Sequence, residues 1–185
     1  MSLPEKLINA LYKATTSSRR IRTLLTPIGL VFFFTLVMLF IVASFWLDKL
    51  AGFSKILPAS WNIIVSAPLL AIGLFLILWS NFHFIKAKGT PVPLNPPLKL
   101  VTTGPYARLR NPMLTGVFIL LFGLGILFNS ASLVFIFTPL FILLNVLELK
   151  AIEEPELEKR LSKEYLEYKR KVPMFIPQLK TKIKK

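Results

Sequence analysis

Side chains capable of chemistry gather in two short stretches. The first, residues 100–113, reads LVTTGPYARLRNPM and offers the hydroxyls of Thr102 and Thr103, the phenol of Tyr106 and the cations Arg108 and Arg110. Its Gly104-Pro105 pair makes a tight turn and lets backbone come close to a ligand. Guanidinium groups carry forked donors that match a carboxylate or phosphate. Arg108 also reads as a plain loop charge, whereas Arg110 is locked beside Asn111-Pro112, a good N-cap followed by a good first helical residue. The second stretch, 153–168, reads EEPELEKRLSKEYLEY and opens on two adjacent carboxylates, Glu153 and Glu154. Adjacent helical residues point about 100° apart, so only one of the pair need face a given site.

The elements that position these stretches are apolar. The chain of 185 residues is 54% hydrophobic and 17% charged, with a mean hydropathy of +0.63; soluble domains are about 45–50% apolar and about 25% charged. Residues 25–47 and 61–85 carry no charge, and each is long enough to cross a hydrocarbon core of about 30 Å. Residues 113–128 and 131–147 are shorter and meet at Asn129-Ser130. They read as a helical hairpin whose ends extend into the interface. Its second arm runs on through Lys150 to the Glu pair, with Asn145, Leu149 and Glu153 on one stripe. Pro155 is expected to start a new, differently directed helix. That helix, 155–172, carries Leu157, Leu161, Tyr165, Tyr168 and Val172 at helical spacing, the two tyrosines reading as interface anchors. A short interfacial helix is expected over 3–14, with Leu3, Leu7, Ile8 and Leu11 on one side. The expected fold is all-α: a polytopic membrane protein of about four transmembrane helices, with a C-terminal helical hairpin and an amphipathic cytoplasmic helix.

Loop charge sets the expected topology. Lys6, Lys13, Arg19, Arg20 and Arg22 precede the first span; Lys86, Lys88, Lys99, Arg108 and Arg110 follow the second; the tail after Leu149 is basic. The other side holds Asp48, Lys49 and Lys55, and the hairpin tip has no charge. The positive-inside rule therefore puts both termini and both polar stretches in the cytoplasm. The net charge of +14 sits beside membrane spans, so anionic headgroups, not nucleic acid, are the expected partners. The first apolar run is late and too long for a secretory signal. Cysteine is absent, which excludes disulfides, thiol catalysis and Cys-ligated metal.

On these residues the chain resembles the membrane methyltransferases related to isoprenylcysteine carboxyl methyltransferase and the phospholipid methyltransferases. The features that carry the resemblance are LVTTGPY, Arg110-Asn111-Pro112, the apolar hairpin 113–147, Glu153-Glu154, Leu157 and EYLEY at 164–168. They cover 86–178, together with the flanking GTPVPLNPP and VPMFIP in the manner of the prokaryotic branch. The resemblance implies S-adenosylmethionine as methyl donor. By position it implies backbone contacts from Lys99, Leu100 and Val101, and a close turn at Gly104. Tyr106 would touch the nucleoside or methionine end. Asn111, Pro112, Met113 and Leu114 would form a cofactor wall, with Glu153 opposite. Arg110 suits the donor's carboxylate. Arg110, Glu153 and Glu154 are the catalytic candidates, either Glu serving as base toward an amine.

Three departures bear on the acceptor. Asn111 stands where His is usual, Leu114 where Tyr is usual, and Leu149 where carboxyl-methylating members carry an Arg. Lys150 is adjacent, on another face. The expected acceptor is an amphiphilic, membrane-embedded molecule, such as a lipid headgroup amine. Carboxyl O-methylation of an isoprenylated cysteine-type substrate and a non-catalytic membrane scaffold are the alternatives. His83 reads as a boundary residue that could also take a proton. The expected organisation is a cytoplasmic segment (1–24), a two-span frame (25–85), a methyltransferase core (86–178) and a basic tail (179–185).

Overall fold

The computed structural model describes residues 2–58, 60–90 and 92–177. Pro91 of the loop and the basic tail 179–185 lie outside the described residues. Six α-helices follow in order: α1 (Leu3–Thr15), α2 (Arg19–Ala51), α3 (Trp61–Lys86), α4 (Pro112–Leu127), α5 (Thr138–Glu148) and α6 (Glu154–Lys171). No strand occurs among the described residues. A 3₁₀ turn spans Gly104–Ala107, and two π-helical turns, Leu133–Phe137 and Leu149–Glu153, precede α5 and α6.

Among the described residues three helices are long and apolar enough to cross a membrane: α2, α3 and the continuous helical stretch Leu133–Lys171. The protein is an integral membrane protein. Helix α4 is shorter, 16 residues, or about 24 Å, as its expected thin hairpin arm requires. Its pairing with α3 is close. A Cβ on Gly73 would lie 2.8 Å from the Gly116 carbonyl oxygen, and one on Gly116 would lie 2.7 Å from that of Gly73. Small residues let the two backbones meet in a lipid setting that offers helices no hydrophobic drive to associate. Phe40, Phe118 and Phe141 stack edge to face inside the bundle. Phe32 and Trp46 are 71% and 74% exposed, as lipid-facing residues should be.

The bundle end away from the polar stretches is stapled. Asp48, in the last turn of α2, accepts from the Ser132 N–H at 2.8 Å and from the Ser130 hydroxyl. Asn129, at φ +54, accepts the Leu57 N–H at 2.9 Å. The bonds to Asp48 satisfy donors at the start of the fourth apolar stretch, whose first turn has no intrahelical acceptors.

Two expectations change. The N-terminal helix forms, with a Ser2–Glu5 capping box, but it is docked, not merely interfacial. Its Thr15 hydroxyl donates to buried Glu156 at 2.6 Å, and Lys159 of α6 donates to Asn9 at 2.7 Å. Pro155 does not start a new helix direction: Glu153 and Glu154 both have right-handed helical angles. The break in α6 lies further on, at Ser162, with φ +48. A proline inside a helix cannot donate to the carbonyl four residues back and crowds it. The widened π-turn before Pro155 absorbs that conflict, and the π-turn before Pro139 does the same.

Candidate active site

The loop joining α3 to α4 is pinned on two sides. Asn95 donates to Thr26 at 3.1 Å and Arg22 to the Pro96 carbonyl at 3.4 Å, both on the α2 side. Arg160 of α6 donates to the Pro97 carbonyl at 3.3 Å. The loop then bends at Lys99 and runs on through Leu100 and Val101; the backbone groups of these three have no partner among the described residues. Lys99 is exposed, and Leu100 and Val101 are half-buried. The chain turns at Gly104, with φ +61, and a Cβ there would lie 2.2 Å from Nε2 of His83. Only glycine fits. His83, bonded from Nδ1 to the Trp79 carbonyl at 2.9 Å, is therefore a wall of this turn.

Tyr106 follows, buried, its ring edge-on to Phe84. Burial pushes its phenol well above the ordinary range, so it stays protonated. The Tyr106 carbonyl accepts the Tyr168 hydroxyl at 2.6 Å. Tyr165 and Tyr168 are 3% and 8% exposed. They are not interface anchors: both are buried, and the loop covers Tyr168. Arg108 points to solvent, in keeping with its reading as a loop charge.

Arg110 is the knot of the site. Its guanidinium donates to the carbonyls of Lys169 and Val172 at 3.0 and 2.9 Å, and to Glu154 at 2.5 Å. Its own N–H and that of Asn111 bond the Pro173 and Met174 carbonyls. The second Glu154 oxygen meets Lys169 at 2.6 Å, and Lys169 also meets Glu158 at 2.8 Å. Asn111 occupies the N-cap position of α4, but its side chain makes no capping bond; the backbone pairing with Met174 fixes it instead. Pro112 is the first helical residue. Met113 and Leu114 are half-buried, Leu114 against the aromatic core.

The adjacent glutamates part company. Glu154 takes the Arg110 side. Glu153, half-buried and without an ion pair among the described residues, lies within electrostatic reach of Tyr106, Glu148, Glu156 and Arg160. Residues Val146, Lys150 and Glu154 line one cleft of about 550 Å³ with Arg110, Lys169, Met174 and Phe175, while Leu149 is 1% exposed and points inward. Asn145, Leu149 and Glu153 have the same spacing as Val146, Lys150 and Glu154 and lie on the adjoining face of the helix, which does not line this cleft. The sequence reading places Lys150 on another face from Leu149 and gives Lys169, Met174 and Phe175 no role of their own; the prolines flanking 174–176 are the local signal for the last two.

The sequence pattern of phospholipid methyltransferases matches residues 61–164, more than half of the chain. The chain belongs to this family. The match thus takes in α3, the loop, the hairpin and the start of α6, while Tyr168, Lys169 and residues 172–175 of the site lie beyond it. Among curated proteins, the nickel-cobalt-cadmium resistance protein NccN of Alcaligenes xylosoxydans xylosoxydans is 30% identical over 122 residues, 62% of this chain and 53% of that protein. The chain spans about half the length of that relative. No solved structure matches it.

Proposed function

We propose that this phospholipid methyltransferase family member transfers a methyl group from S-adenosylmethionine to an amphiphilic acceptor that enters from the membrane. The observation that carries the reading is the division of Glu153 and Glu154 between two walls, one formed by Tyr106 and the other by Arg110. The residues fit the donor. Unpartnered backbone at Lys99, Leu100 and Val101 can receive an adenine or ribose edge. Tyr106 offers a ring, and Glu153 stands in an excess of carboxylate that favours ammonium and sulfonium charge. When bound, the donor supplies an electrophilic methyl group whose carbon–sulfur bond breaks as the acceptor lone pair forms the new bond.

The chain's own residues supply position and electrostatics. Gly104 and Tyr106 shape the donor side, and alignment there contributes much of the rate of an in-line displacement. Glu153, free of an ion pair, is the group able to take a proton from an amine acceptor. Glu154 is committed to Arg110 and Lys169 and acts as a tie between loop and helix. Arg110, whose two terminal nitrogens go to Glu154 and two carbonyls while its buried Nε keeps no partner among the described residues, holds the donor wall in place rather than presenting an open fork to a carboxylate. We place this site and both termini on the cytoplasmic side, since a charged, water-soluble donor does not cross a bilayer. Carboxyl methylation of an isoprenylated thiol-acid is the second reading, favoured by the surplus positive charge of the cleft.

Titration of purified protein with S-adenosylmethionine tests the reading. Saturable binding is expected, weakened by Glu153→Ala and by Tyr106→Ala. Absence of binding at millimolar donor leaves a non-catalytic scaffold. Labelled donor and native membranes then separate the acceptors: label in extracted lipid marks headgroup chemistry, and base-labile volatile label marks an ester.

A further inference from the structure

We propose that Lys150 is the specificity-determining residue of the acceptor cleft, holding an oxyanion, phosphate or carboxylate, carried by the amphiphile. The proposal rests on the methyltransferase reading for what the amphiphile is for, but not for its binding. Leu149 is buried, while Lys150 stands on the cleft wall between Val146 and Glu154. The cleft holds three cations, Arg110, Lys150 and Lys169, and one carboxylate, Glu154. Arg110 is matched by Glu154, and Lys169 by Glu154 and Glu158. Lys150 has no carboxylate or carbonyl partner among the described residues. Its ammonium is thus the uncompensated charge of the cleft, and an oxyanion is its natural complement.

Position argues that the oxyanion belongs to the acceptor rather than the donor. Lys150 sits just past the apolar run of α5, beside Leu143 and Leu147, which are 53% and 54% exposed toward lipid. That is headgroup depth. The cleft's other walls are Met174 and Phe175, and Phe175 packs on Phe118 at 5.2 Å between ring centres. An apolar chain has a surface to lie on while its charged group meets Lys150. The donor side, by contrast, is surrounded by carboxylates at Glu148, Glu153 and Glu156. A lysine that only snorkels to the interface would not discriminate among ligands.

The test uses full-length protein in a neutral maltoside detergent, without methyl donor. It is titrated with dodecyl phosphate, dodecanoate or dodecanol, with ligand-induced stabilisation as the readout. Saturable stabilisation by phosphate or carboxylate and none by dodecanol is expected, and whichever anion binds tighter identifies the acceptor's class. Lys150→Gln should weaken binding by about 10-fold or more, the loss of one charge-assisted hydrogen bond. Lys150→Arg should retain it, and Lys163→Gln, exposed on α6, should leave it unchanged. S-adenosylmethionine affinity should be the same in Lys150→Gln as in the wild type. Undiminished anion binding by Lys150→Gln, equal binding of dodecanol, or loss of donor affinity with anion binding intact each overturns the proposal. Failure of the wild type to bind S-adenosylmethionine sinks the methyltransferase reading alone, since the amphiphile titration contains no donor.

Discussion

The Arg110–Glu154 pair is buried at 10% and 5% side-chain exposure, and its chemistry decides how the site holds together. Removing one partner leaves the other charge in a poorly hydrated place. Glu154→Gln is therefore expected to cost about 3–5 kcal/mol of stability, measured by unfolding in mild detergent; a loss under about 1 kcal/mol would put the pair on the surface in energetic terms. Arg110→Lys should not rescue the site, because an ammonium cannot serve two carbonyls and a carboxylate in one plane. Glu153→Gln makes the contrast. It should leave stability nearly unchanged and weaken donor binding, since Glu153 ties no elements together. Tyr168→Phe removes a buried bond to the Tyr106 carbonyl and should cost about 0.5–1.5 kcal/mol. At this scale the sequence marks Arg110 and the glutamates as chemistry, because permanent charge beside a membrane span and a proline needs a reason. It does not say which glutamate faces Arg110. That depends on a turn whose hydrogen-bonding pattern no single side chain announces.

The π-turn Leu149–Glu153 is the element that sets the site. Hydropathy makes the apolar helices legible, and α4 begins at the expected Asn111-Pro112. Which face of this helix lines the cleft, that of Leu149 or that of Lys150, is not legible from periodicity. The π-turns leave an indirect trace: Pro139 and Pro155 each stand two residues past one, where a helix has had to release a carbonyl. The burial of Tyr165 and Tyr168 was hidden for another reason. Their spacing fits a membrane interface and a covered helix face equally, and the covering loop lies far away in sequence. Inserting one alanine after Ala151 tests the role of this turn. The longer helix should rotate Glu154 and everything after it by about 100°. Circular dichroism should show helicity close to wild type while donor binding is lost. Retained binding would mean that the cleft does not depend on this register. On the paired elements, Gly116→Ile drives a branched side chain into the Gly73 carbonyl, and overpacking of this kind costs about 1–3 kcal/mol.

For the whole molecule, charge and geometry make the same division. One end of the bundle holds Arg22, Arg110, Glu154, Glu156 and Arg160 in a connected set of ties among α1, α2, the loop and α6. The other end holds Asp48, Ser130, Ser132 and Asn129. Two such ends cannot be on the same side of a bilayer when α2 and α3 run between them. We propose that the basic end faces the cytoplasm, since cationic loops resist translocation and the proposed cationic donor would reach Glu153 from the side where it is dissolved. A chain without cysteine makes this directly testable. Lys163→Cys, at the basic end, should be shielded from a membrane-impermeant maleimide in intact cells and labelled in inverted vesicles. Lys55→Cys, in the loop after α2, should behave in the opposite way. The reverse pattern would strand the candidate site on the wrong side of its donor, and the methyl-transfer reading would fall with it, whatever the fold retains of the family.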